Sequence, residues 1–166
     1  MSLIRFAAIF ALCALPYIPA LAQGASVAVG TLQQDTSLPV EVTSDDLSID
    51  NTAGVAVFEG NVIVIQGIMR LTAPRIRVEY DTSEEGNNDI TEMYATGGVT
   101  FVNGPEAAES DEARYLPNTG DLIMTGDVLL TQGPSVMSGE KLTVDLNAGT
   151  GVMEGRVRTV FQSEQN

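Results

Sequence analysis

The chain has 166 residues, with 8 Lys and Arg against 22 Asp and Glu, no His, no Trp and one Cys. Without His the chain lacks the commonest metal ligand and the commonest general base at neutral pH, and one Cys permits neither an intramolecular disulfide nor a cysteine-rich zinc site. The net charge of −14 argues against binding to a nucleic-acid backbone. A hydrophobic fraction of 44% predicts a folded chain, and the length suits one domain.

The N-terminal segment, residues 1–22, is typical of a cleavable signal peptide. Arg5 precedes an apolar stretch, and Ala20-Leu21-Ala22 forms a small-residue cleavage site. The apolar stretch is short for a membrane span, although an uncleaved membrane anchor is the alternative. Cleavage would remove Cys13 and leave 7 basic against 22 acidic groups, a net charge of −15. The sequence therefore predicts a soluble mature protein outside the cytoplasm.

A short motif with a central glycine recurs along the rest of the chain. The four glycines are Gly60, Gly97, Gly126 and Gly155, at spacings of 37, 29 and 29 residues. A Gln-Gly pair also follows the first and the third of them, at residues 66–67 and 132–133. The spacing predicts a repeat of about 29 residues used roughly three and a half times, with the extra residues of the first interval in a loop at 81–89.

Apolar and polar residues alternate around these glycines. Phe58, Val62 and Val64 share one parity, and Glu59 and Asn61 have the other. Alternation at period two indicates half-buried strands with one apolar inward face, and a glycine within such a strand marks a bend or a bulge. Because no segment after residue 22 shows clear helical periodicity, the predicted fold class is all-β. Its domain spans 38–161, after a flexible lead-in at 23–37 and before a frayed tail at 162–166.

Acidic side chains are the plentiful polar groups, but their positions do not favour catalysis. They fall on the outward parity or in loops, which is typical of a solvated face rather than of a catalytic carboxylate pair. The acidic runs Glu84-Glu85 and Glu106–Glu112 lack the spacing of a calcium loop. We find no nucleotide loop and no nucleophile elbow. The sequence predicts a protein that is not an enzyme and uses no metal or cofactor.

The apolar inward face has two interpretations. It is the packed core of a β-sandwich, or it is a smooth groove suited to flexible aliphatic chains, because it is rich in Val, Leu, Ile and Met and poor in aromatic residues. An open repeat also leaves sheet edges at both ends, which invite strand addition by another copy or a partner. The candidate edges are the strand at Val40–Val42 and the last strand, around Val157–Phe161.

Several segments resemble the OstA-like/LptA family. Residues 58–67 (FEGNVIVIQG) and 126–133 (GDVLLTQG) are similar to that family's G-N-V-x-V-x-Q-G signature. Residues 138–146 resemble the same signature, and residues 38–45 match the family's first strand. The resemblance covers about residues 38–161, nearly the whole predicted mature chain.

The resemblance implies an open, twisted β-jellyroll of short antiparallel strands that binds acyl chains of lipopolysaccharide in its interior. Family members of the A type are soluble periplasmic proteins that stack head to tail between an inner-membrane C-type component and an outer-membrane D-type component. The signal peptide and the chain length favour the A type. The strong negative charge suggests that the lipid phosphates and sugars stay in solvent while the acyl chains enter the groove.

This reading assigns twelve inward residues to the lining of a lipid groove. They are Val40, Val42, Ile49, Phe58, Val62, Val64, Val78, Phe101, Tyr115, Met124, Leu130 and Leu142. Two alternatives stay open: an extracytoplasmic adapter of the same fold with a dry interior, and a structural β-repeat protein that joins membrane partners without binding lipid. A hydrolase is disfavoured by the residue inventory.

Overall fold

The computed structural model describes residues 25–28, 32–83 and 89–161, so the predicted signal peptide and tail lie outside the described residues. Within these ranges the chain forms eleven β-strands and no α-helix, which confirms the all-β prediction. No helix in the described ranges is long and apolar enough to cross a membrane. The strands are β1 (Ala25–Ala28), β2 (Glu41–Thr43), β3 (Asp46–Asp50), β4 (Val55–Gln66), β5 (Met69–Tyr80), β6 (Ile90–Asn103), β7 (Glu106–Leu116), β8 (Asp121–Gln132), β9 (Ser135–Asp145), β10 (Thr150–Glu154) and β11 (Arg158–Val160).

The body of the fold is an antiparallel meander from β4 to β10, in which each strand pairs with the next one along the chain. Tight turns connect these strands where glycine adopts a positive φ, as at Gly67 and Gly133. Shorter strands complete the two ends of the sheet. β2 and β3 pair with β4, β11 pairs with β9, and β1 pairs with β10 at the far end of the sheet from β2.

Bulges interrupt the long strands near their middle. Between β4 and β5, the pair Gly60-Asn61 lies opposite the single residue Pro74, and both bulged residues have positive φ, at 77° and 48°. Register shifts recur around Gly97-Gly98 and around Gly126-Asp127. Since a bulge bends its strand, the sheet folds along this line of glycines, and the predicted bends at the first three of the repeated glycines are confirmed.

The bend divides the sheet into two layers that face each other. Layer A contains β1, β3 and β10, together with residues 55–59, 75–80, 90–96, 112–116, 121–125 and 141–145. Layer B contains β2 and β11, together with residues 62–66, 69–73, 99–103, 106–109, 128–132 and 135–139. The hairpin turns lie at the ends of the layers away from the bend. We call the side of the fold between these two rows of turns the mouth.

The core lies between the layers and follows the predicted alternation. On β8, Leu122 and Met124 of layer A and Val128 and Leu130 of layer B are all buried, on either side of the bulge. Each such side chain contributes roughly 1.5–3 kcal/mol by leaving water. One member of the core, Leu32, comes from outside the strands.

Candidate functional site

The structure brings eleven of the twelve predicted lining residues into the core or against it. Eight of these side chains are buried between the layers, so most of the inward face is covered in this structure. The two largest concavities described, of about 580 and 400 Å³, border the bulges rather than the interior. That the eleven residues line a lipid groove stays a prediction. Val62, Val64, Val78, Phe101, Tyr115, Met124, Leu130 and Leu142 are buried, and Val40, Val42 and Phe58 are half-buried against them.

The twelfth residue, Ile49, lies on the inward face at an uncovered end of the fold. Its backbone pairs with Ala56, which pairs in turn with the buried Val78, yet Ile49 is 58% exposed. Leu47, two residues earlier, is 52% exposed for the same reason. Both belong to β3, which has one pairing partner among the described strands. The apolar face therefore continues to the β3 end, where a concavity of about 320 Å³ is bordered by Ile49, Asn51, Ala56, Tyr80 and Ile90.

The opposite end of the fold is covered differently in the two layers. In layer A the edge of β10 carries β1 of the same chain, from Ala25 opposite Met153 to Ala28 opposite Thr150. In layer B the last strand, β11, pairs with β9, and the next residue, Phe161, is 81% exposed. The segments predicted as edges, around Val42 and Val160, each have one pairing partner among the described strands.

Residues 32–38 cross the mouth, and we call this segment the strap. Leu32 is only 1% exposed because its side chain is part of the core. At the layer A side, the backbone N–H of Gln34 donates to the carbonyl oxygen of Leu146 at 2.9 Å. The hydroxyl of Thr36 lies 2.8 Å from Oδ1 of Asn147 on the same side.

Side-chain amides hold the strap at the layer B side. Nδ2 of Asn103 donates to the carbonyl oxygen of Leu32 at 2.8 Å. Nε2 of Gln66 donates to the carbonyl oxygens of Thr36 and Leu38 at 2.7 and 2.8 Å. The segment predicted as a flexible lead-in thus contains β1 and most of the strap. Composition could not indicate this, since the donors are distant in sequence.

A row of polar side chains, which we call the collar, lines the mouth at the turn ends of layer B. Its members are Gln66, Asn103, Glu106 and Gln132, at the ends of β4, β6, β7 and β8. Asn103, Glu106 and Gln132 pair in succession, and Met69 of β5 lies between Gln66 and Asn103. The sequence carried a signal for this row, because Gln-Gly or Asn-Gly stands at the three hairpin turns of layer B, but the repeat did not reveal that these side chains face inward.

Glu106 corrects the expectation that the acidic residues are solvated. It is 2% exposed, and its Oε1 accepts a hydrogen bond of 2.6 Å from Nε2 of Gln132. Its Oε2 is buried without a hydrogen-bond partner among the described residues, as are Oδ1 of Asn103 and Oε1 of Gln34. Parity placed Glu106 wrongly because the turn at residues 104–105 resets the alternation. Among the described residues, no cluster of three or more His, Cys, Asp or Glu is arranged to hold a metal ion.

Tyr115 connects the layers beneath the strap. Its hydroxyl donates a hydrogen bond to Oε1 of Gln66, and its ring is buried. Burial raises the pKa of Tyr115 to about 12, with a smaller opposing effect from the neighbouring Gln34 amide. The phenol is therefore neutral at physiological pH and serves as a hydrogen-bond donor.

The fold and its interior define an open β-jellyroll that is built from glycine-bulged repeats around an apolar inward face. A family model described as LptA/(LptD N-terminal domain) LPS transport protein matches residues 41–150. The chain belongs to this family.

Three known proteins are similar to this chain. The chain is 29% identical over 147 residues to the uncharacterized protein R00383 of Rhizobium meliloti, covering 84% of this chain and 79% of that one. It is 28% identical over 123 residues to the lipopolysaccharide export system protein LptA of Escherichia coli K12, covering 72% of this chain and 66% of that one. The crystal structure of LptH, the LptA-homologous periplasmic component of the lipopolysaccharide transport device of Pseudomonas aeruginosa, matches with a TM-score of 0.69 at 20% identity, covering 78% of this chain and 99% of that one.

Proposed function

We propose that the protein is a periplasmic lipopolysaccharide carrier that shields lipid acyl chains between its two layers during transfer from the inner to the outer membrane. The observation that carries this proposal is the apolar inward face. It runs through both layers of the fold, and its end at Ile49 is exposed to solvent. Relatives named as lipopolysaccharide export proteins support the substrate class.

The driving force for binding is the hydrophobic effect. Each CH₂ group that moves from water into the interior contributes about 0.8 kcal/mol, so even part of one acyl chain is held firmly. The inward residues offer no chemistry to the lipid, and the energy for directed movement is supplied elsewhere. The acidic surface repels lipid phosphates, which fits a mode of binding in which the headgroup stays in solvent.

The ends of the fold support a role as a bridge between an inner-membrane C-type and an outer-membrane D-type component. At one end β2 and β3 offer strand edges beside the exposed Leu47 and Ile49. At the other end lie β1, which covers the edge of β10, and β11. Pairing of unlike ends joins copies head to tail and gives open filaments rather than closed dimers.

A photo-crosslinking experiment tests the groove. Crosslinkers are placed at Val64, which is buried in layer B, and at Glu59, which lies on the outer face of layer A and pairs with Arg75. Purified lipopolysaccharide should crosslink at Val64 and not at Glu59. Crosslinking at neither position, in protein with an intact β-sheet spectrum, would favour the alternative, an adapter that joins membrane partners with a dry interior.

A matched pair of variants on β3 tests the same proposal without disturbing the core. Ile49→Asp places a charge on the exposed end of the inward face, whereas Ser48→Asp places one on the opposite face of the same strand. We expect Ile49→Asp to weaken lipopolysaccharide binding about tenfold and to reduce the size of head-to-tail assemblies. Equal effects of the two variants would argue against the β3 end as part of the groove.

A further inference from the structure

We propose that the strap, residues 32–38, is a built-in competitor of the acyl chain and must leave the mouth before lipid enters. This inference rests on the proposed function, because it assumes that the interior receives acyl chains. It adds that the closed structure is an unloaded state in which part of the chain itself occupies the binding region.

The first observation is the placement of Leu32. It is an aliphatic side chain that enters the core from the mouth rather than from a strand, and it is almost completely buried among residues of both layers. An acyl chain that entered through the mouth would meet this side chain first. Leu32 is therefore aliphatic, as an acyl chain is, and it occupies the place that an entering acyl chain would take.

The second observation is the way in which the strap is attached. A single backbone-to-backbone hydrogen bond, from Gln34 to Leu146, joins the described strap to the sheet. The other polar links all use side chains, namely those of Gln33, Gln34, Thr36, Gln66, Asn103 and Asn147. The sheet strands, by contrast, are held by continuous ladders along both layers. Segments with few backbone hydrogen bonds open at lower free energy than paired strands do. The strap is thus the element that can leave while the two layers stay folded.

The third observation concerns the polar groups under the strap. Oε1 of Gln34, Oδ1 of Asn103 and Oε2 of Glu106 are buried acceptors that have no donor in the closed arrangement. Unsatisfied buried acceptors disfavour the state that buries them, and opening the mouth returns them to water or to the hydroxyl groups of a ligand. These unpaired acceptors therefore lower the free energy that is needed to release the strap.

A reversible bridge across the mouth tests the proposal. Thr36→Cys and Asn147→Cys replace side chains whose oxygens lie 2.8 Å apart, and a short disulfide-containing reagent joins the two thiols. Cys13→Ser removes the native thiol, so the engineered pair is unique. The control bridge joins Thr125→Cys to Lys141→Cys, a cross-strand pair in layer A that does not contact the strap. Binding is measured with the fluorescent fatty acid cis-parinaric acid and, by displacement, with purified lipopolysaccharide.

We expect the mouth bridge to weaken binding of both probes at least tenfold, and reduction of the bridge to restore it, while the control bridge has no effect. Leu32→Ser, which removes the competing aliphatic group, should bind cis-parinaric acid at least threefold more tightly than the parent protein. Equal affinity of bridged and reduced protein would overturn the competitor role and leave the proposed function intact. Absence of binding in the reduced protein and in Leu32→Ser would overturn the proposed function and this inference with it.

Discussion

The hydroxyl of Tyr115 donates a hydrogen bond to the side-chain carbonyl of Gln66, which joins the end of layer A to the end of layer B. The amide nitrogen of the same Gln66 donates to the strap at the carbonyl oxygens of Thr36 and Leu38. One glutamine thus connects three parts of the chain at the mouth. Both partners are buried, so the strength of this link depends on the phenol staying protonated.

Tyr115 should make the protein sensitive to alkaline pH. Its pKa is raised to about 12 in the folded protein by burial, against about 10 in an unfolded chain. A raised pKa contributes stability that is fully present below pH 10 and is lost as the pH rises towards 12. We expect the free energy of unfolding to fall by roughly 1–2 kcal/mol over this interval, as measured by urea titration at several pH values.

Tyr115→Phe should remove that pH dependence, because it removes the titrating group. At neutral pH the variant should lose about 1 kcal/mol, the typical net contribution of a hydrogen bond. An unchanged slope between pH 10 and 12 in Tyr115→Phe would show that another group causes the alkaline loss.

The bulge at Gly126 should not tolerate a side chain. Gly126 has a φ of 80°, and a Cβ added there would collide with Asp111, 2.8 Å from its Cβ. Gly98 has a similar φ of 91° but no atom within 4 Å of an added Cβ. Gly126→Ala should therefore cost about 2–4 kcal/mol and Gly98→Ala about 1–2 kcal/mol in thermal or urea unfolding. Equal losses would mean that backbone strain alone governs these positions.

Replacing the carboxylate of Asp127 should stabilise the protein, because it removes repulsion between like charges. At the equivalent positions of other repeats, Nδ2 of Asn61 donates to Asp45 at 2.8 Å, and Arg156 pairs with Glu140 at 2.9 Å. In the third repeat, Asp111 and Asp127 both lie in the register shift between β7 and β8, where a Cβ added at Gly126 would meet Asp111. Asp127→Asn should raise the free energy of unfolding by about 0.5–1 kcal/mol, because it removes a like charge and because asparagine tolerates positive φ.

The reciprocal change provides the control. Asn61→Asp should lower the free energy of unfolding by a similar amount, since it replaces the amide that donates to Asp45 with a second carboxylate. Both effects should shrink at high salt, where exposed charges are screened. Salt-independent effects of equal size would assign them to backbone conformation instead.

Glu106→Gln should stabilise the protein. The carboxylate is buried with one oxygen lacking a donor, and removing a poorly compensated buried charge lowers the desolvation penalty of folding. We expect a gain of about 1 kcal/mol in urea unfolding, whereas Glu109→Gln, on an exposed position of the same strand, should stay within about 0.5 kcal/mol. A loss of stability in Glu106→Gln would indicate that the carboxylate binds a donor or a cation in solution.

The strand pattern and the bends could be predicted from the amino-acid sequence. Alternation around Phe58 and Val62 and around Met124 and Val128 predicted the inward face correctly, because period-two burial depends on neighbours in the chain. The glycines at 60, 97 and 126 marked the bulges, because their positive φ is a local requirement that glycine meets without strain. The spacing between these glycines also predicted the length of the repeat.

The way in which the strap covers the mouth depends on contacts between segments that are far apart in the sequence. The bond from Asn103 to Leu32 joins residues 71 positions apart, and the bond from Gln33 to Asn147 joins residues 114 apart. No local pattern marks Leu32 as core, Glu106 as buried or Ile49 as exposed, because each outcome depends on which distant segment lies next to it. Periodicity assigns a side chain to a face, but covering that face requires the packing of remote parts of the chain, and this packing appears only in three dimensions.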